Sequence, residues 1–307
     1  MPSRTGAWAG AQLTQWLNLM RGRRLTVSIQ GTTLRLLLAD GQQVLNWVNL
    51  PFNPALLHNG LIANPTAMAQ VIHNALTTKG LPPAPTTAAF PGFQSLCRTL
   101  HLPRASDVNP AEVVPREARR LMGFSERQHY LIWKPAGASE GQTRFVAVVV
   151  PRAPLQVFID TLRMAGLPLM RMELAPLTLL KAANQTDAIV ACVESNSMDI
   201  VIAVNSLPAV VRSLFLAEEF LTHESAPGRL AEELVRTLSF YNDANPENPL
   251  GPQLPIYVAG AFAGEELSAV VARETGHPVM EIAPRLKVPD GFPTPAMVVN
   301  MGLAVRQ

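Results

Sequence analysis

The feature of this 307-residue sequence that most constrains its fold is an order of strands that occurs twice. Near the start, LTVSI is followed by a turn at Gln30-Gly31-Thr32, then TLRLLLA, a second turn and QVLNWVNL. From Ala188 the order recurs as AIVACVES, a turn near Asn196, MDIVIAVN and AVVRSLFLA. Each copy is a hairpin followed by a third strand. The duplication predicts an α/β protein with two lobes, each built on its own sheet.

Helical segments follow each set of strands. Asn64-Pro65 opens the first, because Asn caps a helix well and Pro is pre-set for the first helical position. A long helix is predicted over 226–241, with Leu230, Leu234 and Leu238 on one stripe, and another over 265–275. We assign 25–92 and 169–187 to the first lobe and 188–307 to the second.

Residues 93–168 differ from both lobes. The pattern predicts a strand over 95–102, a polar helix over 110–122, two more strands, and a helix over 153–165. Chain breakers lie at both ends, at Pro91-Gly92 and Gly166-Leu167-Pro168. We interpret 93–168 as a small inserted α/β subdomain of the first lobe.

Residues 1–24 predict an amphipathic N-terminal helix. Leu13, Trp16, Leu17 and Met20 fall on one stripe, and the basic residues Arg21, Arg23 and Arg24 come after it. This order is the reverse of a signal peptide. The favoured interpretation is a helix docked on its own domain. The alternative is peripheral membrane contact through residues 8–24.

Composition excludes several classes of function. The net charge is only +2, which argues against a nucleic-acid partner. Cys97 and Cys192 have no CxxC spacing and the six His form no cluster, so we expect no metal site, no disulfide framework and a reducing cytoplasm. No apolar run reaches 18 residues, so no membrane span is expected.

Several segments in order resemble PilM, a type IV pilus assembly family of the actin-like superfamily close to FtsA. They are GLIANPTAMAQVIHNAL, RMAGLPLMRMELAPLTLLKAA, ELVRTLSFYNDANPENPL with IYVAGAFAGEELSAVVARETGHPV, and NMGLAVR. The resemblance covers about residues 25–307. It implies a two-lobed actin-like fold with an inserted subdomain at 93–168.

The resemblance also implies an ATP site between the lobes, and four substitutions in its two phosphate turns weaken it. The family's first phosphate turn, Asp-Ile-Gly-Ser-Ser-Ser, corresponds to residues 28–33, so Ser28 replaces the magnesium carboxylate and Gln30 replaces the Gly. The second turn corresponds to residues 192–197, where Cys192 replaces the Asp and Glu194 replaces the Gly. A carboxylate at 194 would repel phosphate.

What remains of an ATP site is a set of small and polar residues: Gly31, Thr32, Thr33, Ser195, Asn196 and Gly260. Gly260 belongs to Ala259-Gly260-Ala261, where the family has a Gly-Gly pair near the adenosine. Without both carboxylates, phosphoryl transfer lacks its electrostatic machinery. We therefore expect a pseudo-ATPase with no catalytic residue. The turns are ordinary hairpins with a filled cleft, or they form a site for weak or metal-free nucleotide binding. Real ATPase activity is the third and least favoured interpretation.

The implied function is a cytoplasmic scaffold, peripheral at the inner membrane, for a type IV pilus or related secretion system. PilM-like proteins bind the short cytoplasmic tail of a PilN-like membrane protein in a groove between the first lobe and the inserted subdomain. Other pilus platform and motor proteins are further expected partners. The alternatives are an ATP-hydrolysing actin-like filament protein or a kinase of the same superfold, which would need the missing carboxylates.

Overall fold

A computed structural model describes residues 22–103, 109–139, 141–216 and 220–305. Residues 1–21, the main part of the predicted N-terminal helix, therefore lie outside the described residues. The boundary at residue 24 is wrong, because Arg23 and Arg24 belong to the first strand. Arg23 forms an ion pair with Asp40, and Arg24 donates a hydrogen bond to the Gly41 carbonyl.

The first lobe is a five-stranded sheet with strand order β10-β6-β1-β2-β3. Its first three strands form an antiparallel meander, and β6 and β10 add in parallel to β1. The strands are β1 (Arg23–Gln30), β2 (Thr33–Asp40), β3 (Gln43–Pro51), β6 (Thr86–Phe90) and β10 (Leu169–Leu174). A 3-10 helix (Pro54–Leu56) and a two-strand ribbon of β4 (Leu57–His58) and β5 (Leu61–Ile62) follow β3.

One face of this sheet carries two helices. Helix α1 (Pro65–Thr78) is capped by Asn64, whose side chain accepts a hydrogen bond from the Ala67 amide, as the cap prediction requires. Helix α3 (Arg152–Met164) packs beside it. Both bury apolar residues against the sheet, among them Met68, Ile72, Phe158 and Leu162.

The inserted unit is smaller than predicted. It consists of β7 (Leu96–Pro103), α2 (Pro110–Met122), β8 (His129–Ser139) and β9 (Gln142–Pro151), with strand order β7-β9-β8 and its own core around Phe145 and Val149. The sequence pattern places helix α3 in the subdomain of residues 93–168, whereas in the structure it lies in the first-lobe core. The assignment fails because a helical stripe shows that a face is buried but not against which element.

The second lobe repeats the first. Its sheet has strand order β13-β12-β11-β14-β15, again a meander followed by parallel strands. Helices α5 and α6 cover one face of it, with Leu230, Leu234 and Leu238 of α5 in the core as the stripe predicted. The elements are β11 (Ala188–Glu194), β12 (Ser197–Val204), β13 (Leu207–Phe215), α5 (Ser225–Ala244), β14 (Ile256–Gly260), α6 (Glu265–Thr275) and β15 (Val279–Glu281).

Two helices lie between the sheets and join the lobes. They are α4 (Ala175–Ala183) and α7 (Val298–Ala304), and both contribute to a core shared by residues of the two sheets. The helices cross closely at Gly302, where an added Cβ would stand 2.1 Å from the Thr178 carbonyl oxygen. The two-lobed arrangement predicted from the duplicated strands is confirmed, and it places the tips of the two hairpins opposite each other.

Candidate functional site

The turns of the two hairpins, β1–β2 and β11–β12, touch across the space between the lobes. Gly31 has a φ of 56°, and a Cβ added there would stand 2.8 Å from the Ser195 hydroxyl oxygen. The hydroxyl oxygens of Thr32 and Ser195 lie 3.5 Å apart. Three of the residues predicted from the sequence are thus in contact, but with each other.

A buried ion pair fixes this closed arrangement. Arg35 of β2 donates from Nη1 to Glu194 Oε1 at 2.7 Å and from Nη2 to Glu194 Oε2 at 2.8 Å. Their side chains are 1% and 4% exposed. A two-pronged guanidinium–carboxylate contact is geometrically specific, and burial shields it from solvent. The carboxylate expected to repel a phosphate is therefore neutralised by an arginine from the other lobe.

Two further N–H groups of Arg35 are also hydrogen-bonded. Its Nη1 donates to Gln30 Oε1 at 2.8 Å and its Nε to Asn49 Oδ1 at 3.1 Å. Burial alone would lower the pKa of Arg35, but the charge and hydrogen bonds of Glu194 raise it above its ordinary value. Gln30 also donates to the Cys192 sulfur at 3.8 Å. Burial, and then the nearby charges of Glu194 and Asp199, raise the pKa of Cys192.

Ser28 stands at the position of the first magnesium carboxylate, and its side chain is hydrogen-bonded to helix α7. Its hydroxyl donates to Asn300 Oδ1 at 2.7 Å. The Asn300 amide nitrogen donates to the Thr26 carbonyl at 3.2 Å, the Thr26 hydroxyl at 3.1 Å and the Arg35 carbonyl at 3.1 Å. All of these groups are buried, so Asn300 ties α7 to the first hairpin.

A cavity of about 20 Å³ remains beside the ion pair. Gln30, Gly31, Glu194, Asn196 and Asp199 are among its lining residues. Asn196 is 5% exposed, and its Oδ1 accepts no hydrogen bond from another part of the described chain. This volume suits about one water molecule, whereas pockets for small ligands span roughly 300–1,000 Å³.

Asp199 titrates differently from an ordinary carboxylate. Burial raises its pKa to about 6, the hydrogen bond from Ser213 opposes this, and the charge of Glu194 adds to it. Gly92, at the end of the first-lobe segment, packs so tightly here that an added Cβ would stand 1.9 Å from the Ser213 hydroxyl oxygen. The cavity is thus closed on this side too.

The two remaining predicted residues, like Thr32 and Ser195, do not line the cavity. Thr33 is the first residue of β2 and pairs with Gln30. Gly260 ends β14 with a φ of 99°, and a Cβ there would stand 2.2 Å from the Val193 carbonyl oxygen. Gly260 is needed for the close approach of β14 to β11 in this structure.

The residues present do not fit a magnesium–triphosphate group. The position of one carboxylate is held by Ser28 bonded to Asn300, that of the other by Cys192, and the phosphate position by Glu194 bonded to Arg35. Across the described ranges, no three His, Cys, Asp or Glu side chains are grouped to hold a metal ion. In this structure these side chains fill the space between the hairpin turns, and the absence of ATPase activity stays a prediction.

Sequence reasoning missed Arg35, Asn300 and Asp199. The sequence does single out Arg35, because it is a charged residue within the apolar run TLRLLLA and a buried charge needs a partner. Asn300 is likewise the one polar side chain in VVNMGLA. Their partners lie 159 and 272 residues away, so one sequence does not identify them.

Comparisons with solved structures agree with this architecture. A chain of the PilM-PilN type IV pilus biogenesis complex is 20% identical, with a TM-score of 0.75 over 92% of this chain and 98% of that one. The cytoplasmic domain of EpsL, an inner-membrane component of the type II secretion system of Vibrio cholerae, is 10% identical. Its TM-score is 0.54 over 93% of this chain and 96% of that one. The ethanolamine utilization protein EutJ from Carboxydothermus hydrogenoformans is 12% identical, with a TM-score of 0.52 over 92% of this chain and 89% of that one.

These likenesses confirm the fold. The chain has the two-lobed actin-like fold, and the resemblance to PilM stated from the sequence is confirmed at that level. No protein-family profile matches the sequence. No curated protein matches it significantly. In the part of the chain that the structure describes, no helix has the length and apolarity to cross a bilayer.

Proposed function

We propose that this protein is a non-catalytic scaffold of a type IV pilus or related secretion assembly platform. Its partner in this proposal is the cytoplasmic tail of a PilN-like inner-membrane protein. The scaffold would act in the cytoplasm and reach the inner membrane through that tail. Other platform and motor proteins would bind elsewhere on its surface.

One observation carries the proposal: the architecture of a PilM–PilN complex chain is retained while the position for nucleotide is filled by Arg35 and Glu194. An ATPase or kinase of this fold would need space and carboxylates where these side chains stand. We therefore infer that the lobes are held together without nucleotide.

The inserted subdomain offers a place for an extended tail. Strand β8 is one of the two outer strands of its three-stranded sheet and pairs with β9 on one side. Such an edge leaves backbone donors and acceptors that an added strand can pair with. A peptide could therefore lengthen this sheet by one strand.

Side chains beside this edge provide apolar contacts. Tyr130 and Ile132 are 40% and 59% exposed and lie opposite Val150 and Val148 of β9. Those two valines pack towards the first-lobe core, so the four residues share the sheet face next to that lobe. The guanidinium of Arg152, at the start of α3, stands 3.9 Å above the Tyr130 ring. An apolar strip thus runs between subdomain and lobe, where the resemblance implies the tail groove.

The test is binding of a synthetic peptide with the tail sequence of the PilN-like protein, measured by calorimetry. Ile132→Glu is expected to weaken binding about tenfold or more, as loss of an apolar anchor does. Met170→Glu, which adds the same charge at a residue that is 68% exposed on β10, is the matched control. Equal affinity of the Ile132→Glu variant and the unchanged protein would place the tail elsewhere.

Direct contact of the membrane by residues 8–24 stays a prediction. Residues 8–21 of this segment lie outside the described residues. Arg23 forms an ion pair with Asp40, and Arg24 donates a hydrogen bond to the Gly41 carbonyl. Binding of the protein to anionic vesicles, lost on removal of residues 1–21, would support it.

A further inference from the structure

The two outer strands of the inserted sheet differ in what lies beside them. Strand β7 lies against β13 of the second lobe, where the Thr99 hydroxyl donates a hydrogen bond to the Pro208 carbonyl at 2.8 Å. No strand of the described ranges pairs with the outer edge of β8. The edge that is open to an added strand is therefore that of β8.

The pairing of β8 with β9 shows which backbone groups face this open edge. In an antiparallel pair, residues that exchange hydrogen bonds alternate with residues whose N–H and C=O groups face outwards. The Arg152 amide donates to the Gln128 carbonyl at 2.8 Å, so the even-numbered residues up to 134 are the ones bonded to β9. Pro135 and Pro151 both fall on positions that need no N–H towards the paired strand, which agrees with this assignment. The odd-numbered residues of β8 therefore face the open edge.

Both ends of this edge are closed by the chain itself. At the start of β8, the His129 amide donates to the Ser125 carbonyl at 2.9 Å, and the His129 carbonyl accepts from Arg152 Nε at 3.0 Å. At the other end, Pro135 has no N–H, and a bulge that includes Gly137 with a φ of 90° interrupts the pairing. Prolines and bulges of this kind keep the edge of one sheet from pairing with another sheet.

Between the closed ends lie Leu131 and Trp133. Their outward N–H and C=O groups have no hydrogen-bond partner in the part of the chain that the structure describes. The two residues are about 7 Å apart along the strand, so a segment of about three residues is enough to bond to both. Strands within sheets are typically about five or six residues long. The open part of the edge therefore suits a short peptide better than the sheet of a second copy of this chain.

We propose that the tail of the PilN-like protein binds as a short added strand, held by the backbone groups of Leu131 and Trp133. This inference rests on the proposed function and adds to it what is recognised, namely two tail N–H groups at alternate residues. Side chains of the tail contribute where they pack on the exposed Tyr130 and Ile132. Proline is excluded from the two tail positions that donate to β8.

Amide hydrogen exchange on the full chain, followed residue by residue by NMR, tests this inference. In the free protein the N–H groups of Leu131 and Trp133 should exchange fast, whereas those of Ile132 and Lys134 should be protected by β9. Saturation with the synthetic tail peptide should slow exchange at Leu131 and Trp133 about tenfold or more and leave Ile132 unchanged. Protection of Leu131 and Trp133 without peptide, rising with protein concentration, would assign the edge to a second copy and overturn the proposal.

Peptides with single N-methyl groups give a second measurement, made by calorimetry, that leaves every side chain in place. Methylation of a tail N–H that bonds to β8 removes a donor and should weaken binding about tenfold or more, at alternate residues. Methylation of the residue between them is the matched control and should change the affinity little. A peptide that binds without protecting Leu131 and Trp133, or that tolerates every methyl group, overturns this inference and leaves the proposed scaffold standing. A tail peptide that does not bind overturns both.

Discussion

Arg35 and Glu194 are 159 residues apart in the chain, and their side chains meet in a two-pronged contact of 2.7 and 2.8 Å that joins the two lobes. Each comes from one of the two duplicated hairpins. The pair stands where the resemblance to PilM would place the phosphates of a nucleotide. In a nucleotide-dependent protein of this fold the ligand bridges the hairpins, and here the chain bridges them itself.

The first prediction concerns the stability that this pair provides. Arg35→Met leaves Glu194 buried without its counter-charge, which should lower the free energy of unfolding by about 3–5 kcal/mol. Arg35→Met with Glu194→Leu should cost less than the single change, because no unpaired charge remains. Urea unfolding of the four proteins of this cycle measures the coupling.

An exposed pair provides the control. Arg120 and Glu117 also form a two-pronged contact, but on the surface of α2. Arg120→Met should leave the urea midpoint unchanged within error. If Arg35→Met behaves in the same way, the lobes do not depend on the buried pair.

The second prediction is that ATP with magnesium neither binds nor is hydrolysed. The thermal midpoint should not move when nucleotide is added, because a ligand that binds only the native state would raise it. Replacing Ser28 and Cys192 by Asp and Glu194 by Gly restores the family residues but leaves Arg35 without its carboxylate. This triple variant should unfold at a lower temperature before any nucleotide is added. Magnesium-dependent phosphate release that disappears in Thr32→Val would overturn the pseudo-ATPase proposal.

The third prediction is a pH dependence carried by Asp199. Its pKa is raised to about 6, against about 3.9 in an unfolded chain. Between these values the native state binds the proton more readily, so the contribution of Asp199 to stability is full below pH 4 and is lost as the pH rises through 6. The contribution of Asp199 to the free energy of unfolding should be about 1 kcal/mol larger at pH 5 than at pH 7.

The measurement is the difference in urea midpoint between pH 7 and pH 5. Because other groups titrate in the same interval, the comparison is with Asp199→Asn, which keeps the shape but binds no proton. The unchanged protein should gain more stability on acidification than the variant. Identical pH profiles of the two proteins would mean that burial does not raise the pKa of Asp199.

Much of the fold was predictable from periodicity and turn residues. The helices over 110–122 and 265–275 have the predicted bounds, and both hairpin turns lie at the predicted residues. These features are local, because a capping residue or a turn glycine acts on its own neighbours. Two kinds of feature were not local. One is the choice of core for α3, and the other is the pairing of Arg35 with Glu194.

The candidate site shows the same division. The sequence predicted that Ser28, Cys192 and Glu194 depart from a phosphate site and that Glu194 is unfavourable for a phosphate ligand, and this stays a prediction. It did not indicate that the charge would be neutralised, because Arg35 and Asn49 reach the cleft only through the pairing of β2 with β1 and β3. Contacts between distant strands are set by tertiary packing, which has no signature in a single local pattern.

The last prediction concerns where the inserted subdomain can be excised. Deletion of 93–168, the boundaries suggested by the sequence, removes α3 and with it Phe158 and Leu162 from the first-lobe core, so that protein should be insoluble. Deletion of 93–151 removes β7, α2, β8 and β9, and Val150 is the one buried residue that it takes from the described first-lobe core. Pro91 and Pro154 line one small cavity, so a short Gly/Ser linker from Gly92 to Arg152 can close the gap. This smaller deletion should stay soluble and retain a cooperative thermal transition while losing the PilN-like tail peptide. Calorimetry with that peptide checks the second point, with the Met170→Glu full-length protein as a control that binds. A soluble 93–151 deletion that binds the peptide as tightly as the full chain would exclude the subdomain edge as the tail site.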